Sequence, residues 1–178
     1  MTIIHANDPT TQFLSVLYNQ RNDIKAHITE KSTNMEVIRA IRSDDTIMML
    51  GHGSGAGLCT ILKENRDFER LIVNGSHVQF LRDKTCIGIW CKANEFAGHH
   101  KLHGLFSGMI ISELYEASEE EIATTKEEID REMAKFASRL RDCLGQYALK
   151  DIPAKMKELD DVKSELTRFN YNNLYYFE

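Results

Sequence analysis

Three short apolar runs constrain this chain more than any other feature: Thr2-Ile-Ile-His-Ala6, Thr46-Ile-Met-Met-Leu50 and Cys86-Ile-Gly-Ile-Trp90. The second is apolar without interruption after its first residue, as expected for a strand covered on both faces, and turn-forming or polar residues follow it at once. Such runs, separated by segments of helical period, specify an α/β fold with a mostly parallel sheet and crossover helices. Ile24-Lys-Ala-His-Ile28 is a further strand candidate.

The intervening segments carry helix signals. Asp8 is placed to cap a helix starting at Pro9, with Phe13, Leu14, Leu17 and Tyr18 on one face. Thr33-Asn-Met-Glu36 is a capping box before Val37, Ile38 and Ile41. Leu71-Ile-Val-Asn-Gly75 reads as a small edge strand, with Ser76 capping a short helix through Val78, Phe80 and Leu81. Residues 97–104, rich in His and Gly, are predicted to form a loop, and Phe106, Met109, Ile110, Leu114 and Ala117 to line a helix. Ile122-Ala-Thr124 is a candidate fifth strand. Thr125-Lys-Glu-Glu128 is a second capping box, and Ile129, Met133, Phe136, Ala137, Leu140, Cys143, Leu144 and Tyr147 follow at steps of three and four. After Pro153, the positions Met156, Leu159, Val162, Leu166 and Phe169 form a seam suited to packing on the sheet or to a homodimer, and an aromatic tail runs from Tyr171 to Phe177. The 178 residues read as one unit, with 125–178 a C-terminal helical extension packed on it.

Composition narrows the function classes. With 42% hydrophobic and 28% charged residues the chain is not of the disordered kind, and no stretch approaches the roughly 20 apolar residues that span a bilayer. Residues 113–165 hold fifteen acids and nine bases, and no basic stripe stands out elsewhere, so neither nucleic acid nor membrane is expected as a partner. Four cysteines, none in a CxxC pair, suggest reduced thiols in a cytosolic chain; Cys59, Cys86 and Cys143 fall in apolar patterns and are expected in the core.

The chemistry concentrates at strand ends, where open α/β sheets gather their ligands. His52 and Cys91 each follow an apolar strand, 39 residues apart, so parallel neighbouring strands would bring both to one edge. An imidazole beside a thiol is the pattern of nucleophilic catalysis, with Gly53 and Cys91 offering backbone N–H groups to an oxyanion. Ser54, Gly55, Asn94 and His99 are candidate loop or substrate contacts.

A buried strand ending in His-Gly, followed by a second ending in Cys, resembles the caspase, legumain and gingipain group of cysteine peptidases. The resemblance implies a three-layer caspase-like (flavodoxin-like) sheet with His52 as general base, Cys91 as nucleophile, no cofactor and a peptide or protein substrate. The stretch Ile89-Trp-Cys-Lys-Ala-Asn94 departs from that group's Gln-Ala-Cys motif, which implies altered specificity or an interaction protein with a degenerate site.

A second reading starts from Gly51-x-Gly53-x-x-Ala56, a relaxed dinucleotide fingerprint whose backbone N–H groups would hold a small phosphate-bearing ligand, a nucleotide or signalling molecule. His99 and His103 would share a helical face, but the flanking Gly98 and Gly104 favour a loop, and no metal is expected.

Overall fold

The computed structural model describes residues 1–6, 9–61 and 68–178. Its centre is a six-stranded sheet in the order β2-β1-β3-β7-β8-β9, built from β1 (Thr2–His5), β2 (Ala26–Ile28), β3 (Thr46–Leu50), β7 (Thr85–Ile89), β8 (His103–Ser107) and β9 (Leu174–Phe177). The first five are parallel, and β9 closes one edge antiparallel to β8. The chain is therefore α/β with a mostly parallel sheet and flanking helices.

Period-two alternation divides the sheet between two cores. Met48, Leu50, Ile87, Ile89 and Leu105 face one side, where they meet α5 (Lys126–Gln146), α6 (Ile152–Glu158), α7 (Glu165–Asn172) and the 3-10 helix Gln12–Leu17. Ile47, Met49, Cys86 and Phe106 face the other, against α1 (Asn34–Arg42), α2 (Val78–Leu81) and α3 (Ala93–His100). A run such as Ile47–Leu50, fully buried at every position, is what two covered faces require.

Helix starts follow their caps. The Thr33 hydroxyl accepts from Glu36 N–H while Glu36 accepts from Thr33 N–H, completing the expected box. Thr125 accepts from Glu128 N–H, but the Glu128 carboxylate turns to the Thr124 hydroxyl, so that box is only half formed.

Several elements differ from expectation. After β1 the chain makes a six-residue 3-10 helix rather than an α-helix from Pro9; Asp8 lies outside the described residues. The glycine-rich segment is not a loop but β4 (His52–Ser54), which with β5 (Gly57–Ile61) and β6 (Phe68–Asn74) forms a separate antiparallel sheet. Asn74, not Ser76, caps the short turn before α2. The predicted loop at 97–104 contains the end of α3 and the start of β8, and Phe106 lies in that strand rather than on a helix; the helix that follows, α4, spans only Leu114–Glu119. Ile122–Thr124 forms no strand.

The seam on the last helix is broken. Residues 159–164 separate α6 from α7, leaving Leu159 and Val162 42% and 39% exposed, whereas Met156 and Leu166 are buried in the chain's own core. Cys59, Cys86 and Cys143 are buried, and no described cysteine is paired in a disulfide. Among the described residues no helix is long and apolar enough to cross a membrane.

Candidate functional site

Strand order locates the site. From β1 the chain moves to β2 on one side and then crosses to β3 on the other, so the crevice between the carboxyl ends of β1 and β3 is the topological switch point, where open α/β sheets bind their ligands. Two segments meet there: residues 9–12 after β1, and β4 after β3. The Thr10 hydroxyl lies 2.6 Å from His52 Nε2, a direct hydrogen bond between them. On the other side of the same turn, Thr11 Oγ1 is 3.3 Å from His5 Nε2, and His5 Nδ1 is 3.0 Å from the Tyr18 hydroxyl.

His52 and Cys91 line one pocket, together with Thr11, Gly51, Ile110 and Ser112. The expected convergence of the two strand-end residues is thus realised, because β3 and β7 are parallel neighbours with Leu50 opposite Ile89. The pocket is narrow, about 30 Å³, room for one water-sized group. Gly53, Ser54, Gly55, Asn94 and His99 lie outside its lining.

Three contacts fix the walls. Trp90 donates its backbone N–H to Ser107 Oγ (3.0 Å) and accepts that hydroxyl at its own carbonyl (2.8 Å), joining the ends of β7 and β8. The Trp90 indole N–H donates to the Ser54 carbonyl at 3.1 Å, with the ring lying over Gly53. A Cβ at Gly53 would stand 2.2 Å from the indole and 2.5 Å from the Gly57 carbonyl oxygen. Glycine is needed there to seat Trp90. Gly57, at φ +138°, is needed for the hairpin backbone, where a Cβ would stand 2.1 Å from the Val73 carbonyl oxygen.

The thiol is not activated. Burial, reinforced by the nearby Glu116 carboxylate, pushes Cys91 up to about 11, so it stays protonated near neutrality. Its S–H points to the Ile110 carbonyl and to Glu116 Oε1, at 3.8 and 3.9 Å. Glu116 is itself buried and engaged: Oε2 accepts from Ser112 N–H, the Ser112 hydroxyl and Glu113 N–H, capping α4, while Oε1 accepts from the Tyr115 hydroxyl. Among the described residues of the lining, the other ionisable group is the His52 imidazole, steadied by Thr10.

The glycine segment does not form a phosphate nest. His52–Ser54 pairs with Gly57–Cys59 across a two-residue turn at Gly55-Ala56, and no helix opens from it. His99 ends up on α3 and His103 on β8, and the described residues contain no cluster of three or more side chains able to hold a metal ion.

Thr10, Thr11 and Ser112 were not among the expected site residues. They come from the turns after β1 and β8, and the cue for them was the strand-end rule applied to every parallel strand rather than to β3 and β7 alone.

Fold and crevice together define an α/β protein with a mostly parallel sheet and a crevice at its switch point. The family model described as Glucokinase matches residues 2–155, and the chain belongs to that family. No curated protein matches the chain. Membership overturns the expected kinship with caspase-group peptidases, and with it the cysteine hydrolase activity and the degenerate-peptidase alternative. The protonated Cys91 gives a physical reason: a thiol held at about 11 supplies little thiolate for attack.

Proposed function

We propose that this protein acts as a sugar kinase-type phosphotransferase at the carboxyl edge of its sheet. The observation that carries the reading is the family match over residues 2–155. The hydrogen-bonded Thr10–His52 pair at the switch point supports it, since it fixes an imidazole in the wall of a space one hydroxyl would fill.

In this reaction a sugar hydroxyl attacks the terminal phosphorus of a nucleoside triphosphate. A new P–O bond forms as the bond to the departing diphosphate breaks, and the hydroxyl proton passes to His52. Most of the acceleration in such transfers comes from positioning and electrostatic stabilisation. Thr10 holds the imidazole, while Trp90 and Ser107 hold the strand ends that frame it. The flavodoxin-like assignment of the sheet belongs to the same proposal, supported by the 2-1-3 strand order and its switch point. So does a cytosolic location, supported by four cysteines of which none forms a disulfide among the described residues.

The test is ADP release from ATP over a panel of hexoses. Sugar-dependent release is expected, falling by about 10²–10⁴-fold in kcat for His52→Ala, the usual range for a lost general base. Release that is absent with every hexose, or independent of sugar, would overturn the reading.

A further inference from the structure

The six-stranded sheet ends in two edges that are finished differently. At one edge, three-residue β2 is flanked by Lys25 and Lys31, and Arg70 reaches the turn after it, donating to the Glu30 and Ser32 carbonyls. Short length, lysines and a covering side chain are the usual means of keeping an edge from pairing with another chain. At the other edge, β9 carries no such side chain: Leu174-Tyr-Tyr-Phe177 holds no charge and no proline, and its register with β8 runs without a bulge. We infer that β9 is the interface of a homodimer, in which the β9 strands of two copies pair antiparallel and join two six-stranded sheets into one.

The backbone determines which groups face outward. The Asn173 carbonyl accepts from Gly108 N–H at 2.9 Å, so it points at β8. Across the trans peptide the Leu174 N–H points the opposite way. Alternation along the strand then turns the N–H and C=O groups of Leu174 and Tyr176 outward, and those of Tyr175 and Phe177 toward β8. Among the described strands β9 has β8 as its one neighbour, so the outward row faces no ladder there.

The side chains argue for a second copy as the occupant. A two-fold axis normal to the sheet brings the edge to itself in antiparallel sense and keeps like faces together. Tyr175 and Phe177, on the α3 face, then meet their own counterparts, and so do Leu174 and Tyr176 on the α6 face. Cross-strand aromatic pairs are favourable, and no like charges within β9 are brought opposite one another. Tyr175 and Tyr176 are 39% and 37% exposed in the single chain, surface that the pairing covers. Because α3 and α6 both touch β9, one on each face, they approach their mates and extend the contact beyond the strand, toward the area a stable dimer needs. Leu159 and Val162, exposed at the break between α6 and α7, lie on no strand edge.

Sedimentation velocity over a range of concentrations tests the interface on the whole chain. Wild type is expected to associate to a dimer. Tyr176→Pro removes an outward N–H and sets its ring where the second strand must lie, without taking a bond from β8, and should weaken association by about tenfold or more. Tyr176→Lys keeps the backbone donor but places like charges near the two-fold axis, and should also weaken association. Melting temperatures verify folding, and the lysine variant decides the matter if the proline variant does not fold. Val162→Lys, on the other exposed apolar surface, should leave the dimer intact. A monomeric wild type overturns the interface, as does a folded Tyr176→Pro, or failing that a Tyr176→Lys, that associates as tightly as wild type. A dimer lost in Val162→Lys moves the contact to the helix break and overturns it equally. None of these outcomes depends on the kinase reading, so the two claims fail separately.

Discussion

Gly53 illustrates how little slack surrounds Trp90 in the pocket wall. A methyl group there meets both the Trp90 ring and the backbone at Gly57, and the backbone oxygen has no rotamer by which to retreat. Gly53→Ala should therefore destabilise the protein by about 1–3 kcal/mol, the usual cost of overpacking, read as a lower denaturation midpoint. Cys91 should alkylate slowly at pH 7–8. Because the Glu116 carboxylate contributes to raising the thiol, Glu116→Gln should lower its pKa and speed labelling at fixed pH; an unchanged rate would show burial alone controls it. His77 adds a pH dependence. It is fully buried, Nδ1 accepts from Asn74 N–H, Nε2 has no partner among the described residues, and burial depresses its pKa. The folded state keeps it neutral while the unfolded chain protonates near ~6.5, so the unfolded state binds more protons as pH falls through that value. Stability should decline below about pH 6.5, and less steeply in His77→Gln, as urea midpoints at pH 7.5 and 5.5 would reveal.

The elements that frame the site are held by a few long-range polar contacts. Asn170 on α7 is completely buried, accepting from Ile111 N–H at 2.8 Å and donating to the Ile111 carbonyl at 3.1 Å. It thereby pins the segment that carries Ile110 and Ser112 into the pocket wall. Asn170→Leu would orphan both backbone groups, on the order of 1–3 kcal/mol for each, and should lower stability and the activity of the site together. Which elements were legible from sequence follows from how local their determinants are. β1, β3 and β7 show as apolar runs and α1 as a capping box, all set by contiguous residues. β8 is not legible because Leu105-Phe106, between Gly104 and Ser107, is too short to have a period of its own and falls into false helical step with later apolar positions. β4 was hidden by His, Gly and Ser, which have no preference for strands; β5 pairs with it all the same. The apparent seam of the last helix is two helices whose spacing continues across a break at exposed Leu159 and Val162.

In the whole molecule, the order of strands decides what the site contains, and that order depends on contacts far apart in sequence. His52 and Cys91 could be placed together because each follows a recognisable strand; Thr10, Thr11 and Ser112 could not, because their neighbours are set by the β1–β3 crossover and by β8. Family membership, a property of residues 2–155 as a whole, gives the crevice its proposed reaction, whereas the three motif positions that suggested a peptidase cover too little chain to do so. The most direct measurement is a ³¹P NMR time course of the protein with magnesium, ATP and a monosaccharide. Sugar kinase chemistry predicts a growing phosphomonoester signal matched by ADP, abolished when the sugar is omitted. ATP left intact, or converted to ADP and free phosphate with no sugar phosphate, would contradict it.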